Sequence, residues 1–163
     1  MRLSYWGFII LFIGSACAPY QDPSVVASAP TLEQDLAELS PMRSSFSKTM
    51  NEETVDQWAL SYMAKGATIL PPGRTSISSR GEIVSWIRRL LDQYRIEHFQ
   101  LTTEEVVTGD YTFEKGVYLL EASQQESGQK IQERGKFLFI WRRGAEGRWE
   151  GAHVSWNSDG YWP

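Results

Sequence analysis

The chain has 163 residues, 42% of them hydrophobic and 22% charged, which is enough for one domain with a buried core and too little for two. A formal net charge of −4 and the lack of a basic stripe exclude an electrostatic footing on nucleic acid, so no nucleic-acid partner is expected. The single cysteine, Cys17, excludes an internal disulfide, and the two histidines, His98 and His153, stand far apart without metal-ligand spacing, so neither a metal nor another cofactor is expected.

In chain order, residues 1–16 carry one cation, Arg2, then a mostly apolar run from Tyr5 to Ile13, then the small residues Gly14-Ser15-Ala16. That is the layout of a secretory signal peptide, too short to read first as a spanning helix. With Cys17 directly after the small residues, the segment resembles a bacterial lipobox, although Gly14 stands where Leu is usual. The resemblance implies cleavage before Cys17 and lipid attachment there; the competing readings are ordinary signal cleavage or an uncleaved anchor, with Cys17 incidental. Acyl chains on one terminal residue can hold a soluble domain at a membrane, at about 0.8 kcal/mol per buried methylene. The expected location is therefore the bacterial cell envelope, lipid-anchored, on the periplasmic side of the outer membrane if the cell has two membranes. Residues 17–30 give the lipidated cysteine and a flexible Pro/Ser/Ala tether.

The folded domain is expected over 31–159, with 160–163 as a tail. A helical segment begins near Thr31 and is interrupted at Ser40-Pro41, where serine as N-cap and proline in the first turn predict a new helix to about Met50. Asn51 is the expected cap of a second helix with Glu52 and Glu53 in its first turn. That helix buries Val55, Trp58, Ala59, Tyr62 and Met63 along one stripe and ends at Gly66. Ala67–Leu70 is a short strand. Ser79 and Glu82 form a predicted capping box opening a third helix with Ile83, Trp86, Ile87, Leu90, Leu91 and Tyr94 on its stripe.

Strands follow at Ile96–Val107, Tyr111–Ala122, Ile131–Arg143 and Arg148–Trp156. The last two flank Gly144-Ala145-Glu146-Gly147 and read as a long hairpin. By period-two alternation Phe137, Phe139 and Trp141 share one face, and Leu138 and Ile140 the other. The same alternation puts Trp149, Gly151, His153, Ser155 and Asn157 opposite Ala152, Val154 and Trp156. Helices first and strands afterwards predict an α+β fold with helices packed on one face of a bent sheet.

Five strings in this order, GATILPPG (66–73), SSRGEIVSWIRRLL (78–91), VTGDYTFEKGVYLL (107–120), RGKFLFIWRR (134–143) and RWEGAHVSWNSD (148–159), resemble the nuclear transport factor 2-like superfamily. Within it the likeness is to the SnoaL-like and domain-of-unknown-function 4440 group, which includes ketosteroid-isomerase-like proteins. The resemblance implies a cone: a strongly bent antiparallel sheet wrapped on about three N-terminal helices, with a cavity at the open end and a habit of dimerising through the sheet. It does not fix the chemistry, because one fold hosts many functions.

His153, mid-strand among aromatics, is the candidate catalytic residue, a proton shuttle whose ordinary titration range suits transfer near neutrality. The competing reading is a neutral imidazole bonded to backbone or to Asn157. Tyr62, Trp86, Tyr118, Trp141, His153, Trp156 and Asn157 are the candidate ligand-binding residues, against a reading of the aromatics as plain core. No aspartate sits mid-strand on an apolar face, and most strand glutamates alternate outward with polar neighbours. No serine–histidine–aspartate geometry or phosphate loop is present. The expectation is an envelope protein binding a small apolar or amphipathic molecule in its cone. The alternatives are an isomerase or dehydratase working through His153, and a dimeric protein-interaction module. The sequence leaves catalysis open.

Overall fold

The computed structural model describes residues 31–161; the expected signal segment 1–16, Cys17, the expected tether and Trp162-Pro163 lie outside the described residues. The elements in order are α1 (Leu32–Asn51), α2 (Val55–Tyr62), β1 (Met63–Leu70), β2 (Ile77–Ser78), α3 (Arg80–Gln93), β3 (Tyr94–Val107), β4 (Tyr111–Gln124), β5 (Lys130–Arg143) and β6 (Trp149–Tyr161). The six strands form one open sheet in the order β2-β1-β6-β5-β4-β3. β3 to β6 are an antiparallel meander, whereas β1 joins β6 in parallel, so the expected bent sheet is mixed. The three helices cover its concave face. No helix among the described residues is long and apolar enough to cross a membrane.

Pro41 does not divide α1. The ring removes one N–H and leaves the Ala37 carbonyl without its helical donor, yet the helix runs through it. Contacts on both sides offset that loss. Thr31 and Gln34 form a reciprocal capping box at the start. Asp35 is bonded by Arg143 at 2.7 Å, and Leu39 and Met42 are buried on either side of the proline.

Asn51 does not cap α2, which follows Thr54 without a side-chain cap. It ends α1 instead. Its Nδ2 donates to the Phe99 carbonyl at 3.0 Å, and its Oδ1 accepts from the Phe99 N–H at 2.7 Å. One amide side chain thus pairs with the edge strand β3 as a neighbouring strand would. α2 stops at Tyr62 rather than Gly66, because β1 begins at once with Met63. At the start of α3, Ser79 Oγ accepts from the Glu82 N–H as expected, but the Ser79 N–H donates to the Ala67 carbonyl, so the return half of the predicted capping box is not formed.

The inner faces of β4 and β5 are set by alternation. Thr112, Glu114, Gly116, Tyr118 and Ala122 point inward from β4, and Gly135, Phe137, Phe139 and Trp141 from β5. Two of these positions require glycine by close approach. A Cβ on Gly116 would sit 2.1 Å from the Thr102 carbonyl oxygen, and one on Gly135 would sit 2.0 Å from that of Asn157. The absent side chains let the sheet bend there, with Phe137 and Tyr118 lying over the gaps.

β6 departs from simple alternation. Ile140 pairs with His153 and Trp141 with Gly151, which leaves Ala152 as an extra residue. This bulge reverses the facing of everything after it. Trp149 and Gly151 point inward before it; Ala152, Val154 and Trp156 point inward after it. His153 therefore does not share a face with Trp149 and Gly151, as strict period two required. It lies exposed on the convex face beside Ile140. The strand also runs on past Trp156, through Gly160 to Tyr161.

Candidate functional site

The helices and the concave sheet enclose a cavity of about 490 Å³, within the range of small-molecule sites. α1 and α2 floor it with an aromatic cluster. Phe46 meets Trp58 at 4.6 Å, Phe139 at 5.6 Å and Phe99 at 5.7 Å in edge-on contacts, and Phe139 stacks on Trp141. Ile83, Ile87 and Leu90 of α3 form one wall; Ile96, Leu101, Leu120, Ile131 and Phe137 of the sheet form the other. Trp86 and Trp156 meet across the two walls with ring centroids 5.8 Å apart. The exposed lining residues Pro72, Arg74, Arg89 and Gln93 mark where the cavity opens.

Few polar groups reach this space. Tyr118, 7% exposed, donates its hydroxyl to Glu133 in a short hydrogen bond and lies 3.5 Å from the Asn157 carbonyl. Burial raises the Tyr118 pKa well above the ordinary phenol range, and the Glu133 carboxylate beside it adds to the rise. The phenol therefore stays neutral and donating at all physiological pH. It occupies one lobe of Glu133 and leaves the carboxylate other acceptor sites on the cavity side.

A second carboxylate on the inner sheet face is Glu114, at the narrow end. It is 2% exposed and accepts from Thr103 Oγ1 at 2.6 Å, Trp141 Nε1 at 3.1 Å and Arg43 Nη1 at 3.4 Å. It does not line the cavity. Nearby, Arg143 bonds Asp35 and Glu38 and lies 4.3 Å from the centre of the Trp149 ring. Among the described residues no group of three or more His, Cys, Asp or Glu is arranged to hold a metal ion.

Of the residues singled out from sequence, Trp86, Tyr118 and Trp156 line the cavity together. The other four do not. Tyr62 packs on Trp58 behind the floor, and Trp141 is 1% exposed below it with its indole N–H committed to Glu114. Asn157 is exposed and contributes only its main-chain carbonyl near Tyr118. His153 is on the opposite face of the sheet because of the Ala152 bulge. Glu133, Arg74 and Arg89 also line the cavity and were not among those seven. Alternation already carried the signal for Glu133, which is two and four residues from Gly135 and Phe137 on the same face. Nothing local marks the arginines.

No family model matches the sequence, and no curated protein matches it. Solved structures do. A ketosteroid isomerase-like protein from Erwinia carotovora atroseptica superposes with TM-score 0.70 at 16% identity, covering 78% of this chain and 98% of that one. A nuclear transport factor 2-like superfamily protein from Salmonella enterica serovar Typhimurium gives 0.68 at 11% identity, covering 80% and 94%. A hexachlorocyclohexane dehydrochlorinase from Novosphingobium barchaimii gives 0.66 at 13% identity, covering 79% and 89%. The fold is therefore the α+β cone of the nuclear transport factor 2-like and ketosteroid isomerase-like proteins.

Proposed function

We propose that the domain binds a small amphipathic molecule in the cone. The observation that carries this is the apolar cavity of about 490 Å³ with the Tyr118–Glu133 pair reaching into it. Its shape and chemistry suit an apolar body with one hydrogen-bonding group directed at the pair. Small-molecule binding is tested by native mass spectrometry against a library of amphiphiles, with Ile131→Trp as the variant that fills the cavity. Ligands retained by the native chain and lost by the variant support the reading. A library in which nothing binds, or binds both proteins equally, removes it.

A second reading rests on Glu133. A carboxylate with one phenol donor, facing an apolar cavity, is placed to take a proton from a bound carbon acid, with Tyr118 neutral beside it. Some proteins of this fold are enzymes by name, the dehydrochlorinase among them. An isomerase or dehydratase-type activity here would run through Glu133 rather than His153, which lies outside the cavity. Turnover abolished by Glu133→Gln and indifferent to His153→Ala supports this; the reverse pattern refutes it.

Two further parts of the proposal concern location and assembly. Lipid anchoring through Cys17 predicts fatty-acid labelling that Cys17→Ser abolishes. A homodimer through the convex face draws support from Val107, Phe113 and Leu138, which are large, apolar, exposed and gathered on that face by pairing register. Sedimentation of a concentrated sample as a monomer would refute it.

A further inference from the structure

Most cations of the described chain are neutralised. Arg43, Lys48, Arg88, Lys115, Lys130, Lys136, Arg143 and Arg148 each have a carboxylate partner. Arg80 donates to the Leu60 and Met63 carbonyls. Arg74 and Arg89 differ: both line the cavity, both are exposed, and neither has an ion-pair or hydrogen-bond partner among the described residues. Arg74 comes from the loop after β1 and Arg89 from α3. In a chain of net charge −4, two unpaired guanidinium groups at the mouth of an apolar cavity form a local reversal of sign.

The remaining charge in the cavity sets the polarity of whatever enters. Glu133 projects from the sheet wall and repels an anion placed near it. Trp86 and Trp156 stand between the walls as apolar surface, and neither indole N–H has a hydrogen-bond partner among the described residues. An oxyanion placed at the mouth lies beside the two arginines, whereas one placed against the sheet wall would face the Glu133 carboxylate. Arginine's planar fork suits an oxyanion such as a carboxylate.

We propose that the cavity takes an anionic amphiphile whose apolar chain lies between α3 and the sheet and whose oxyanion head is held at the mouth by Arg74 and Arg89. This rests on the cavity reading given above. Among the described residues no partner holds these arginines, so ligand binding sacrifices no ion pair there.

The test uses three probes with one chain and different heads, decanoate, 1-decanol and decylammonium, titrated at pH 8 by quenching of intrinsic tryptophan fluorescence. Decanoate is expected to bind about tenfold more tightly than 1-decanol, the sum of two rim-exposed charge contacts, and decylammonium more weakly than decanoate. The decanoate advantage is expected to shrink as salt is raised. In the double variant Arg74→Gln, Arg89→Gln the ratio of decanoate to decanol affinity should collapse to about one. Both positions are exposed, so the variant retains the fold, which circular dichroism checks. Decanol binding with no decanoate advantage, or an advantage that survives the double variant, overturns the head-group assignment and leaves the cavity reading standing. Failure of all three probes to bind overturns both.

Discussion

The sheet places two glutamates on its concave face, Glu114 at the narrow end of the cone and Glu133 on the cavity wall, and their surroundings differ. Glu114 on β4 is enclosed by α1 and receives donors from three different elements. Glu133 on β5 receives one phenol and otherwise faces the cavity. A buried carboxylate stripped of water must recover its hydrogen bonds from protein. Glu114 does so, and its cost is repaid within the fold. Glu133 is only half-buried; it accepts one phenol hydrogen bond, and its other acceptor sites are open to water or to the ligand proposed above. The contrast separates a carboxylate that holds the structure from one that is available to a guest.

The largest expected effect tests the enclosed end. Glu114→Ala leaves the half-buried Arg43 without its counter-charge and orphans the buried Trp141 N–H, at a cost of about 3 kcal/mol in denaturant unfolding. Glu133→Ala should cost about 1 kcal/mol, one hydrogen bond. Equal losses at the two sites would erase the distinction. Next in size is Gly135→Ala. The added Cβ would meet the Asn157 carbonyl at 2.0 Å and the Tyr118 ring at 2.6 Å, so the β5–β6 pair must shift. A loss of about 2–3 kcal/mol is expected, measured the same way.

Tyr118→Phe should cost about 1 kcal/mol near neutral pH. It carries a sharper signature in alkali. Because the folded state raises the Tyr118 pKa, it holds that proton more tightly than the unfolded chain does. The associated stability is complete below the unfolded value of about 10 and is lost as pH rises beyond it. The native chain should therefore lose stability more steeply above pH 10 than Tyr118→Phe does; parallel curves would show that the phenol is not shielded. The smallest effect belongs to His153→Ala, within about 0.5 kcal/mol by thermal or denaturant unfolding, as expected for an exposed side chain off the cavity. A larger loss would mean that the convex face is not free.

The elements legible in sequence are those whose periodicity has one interpretation. The Ile83, Trp86, Ile87 stripe and its serine cap marked α3, and the alternation through Phe137, Phe139 and Trp141 fixed the inner face of β5. What failed depended on partners distant in sequence. Pro41 reads as a boundary until Asp35 is seen tied to Arg143 and Leu39 and Met42 are seen buried beside it. Asn51 reads as a cap until β3 is placed beside it.

The facing of β6 turned on a single residue. With Ala152 uncounted, His153 falls inside and Trp156 outside; counted, they exchange places. No composition signal marks such an insertion, since alanine is at home on either face. Glu133 and Glu114 were recoverable by carrying the alternation of β5 and β4 to their ends. They were set aside because a charged residue on a strand usually belongs to solvent.

The amide of Asn51 also bears on how the molecule behaves in a crowd. β3 is the last strand of an open sheet and offers unpaired main-chain groups to any extended peptide that drifts alongside. By occupying both groups of Phe99, Asn51 breaks that row near its middle, so an incoming strand would have to dislodge the end of a twenty-residue helix before it could zip along the edge. Protection against runaway polymerisation is thus provided by one side chain at a helix terminus, at no cost to the hollow behind it.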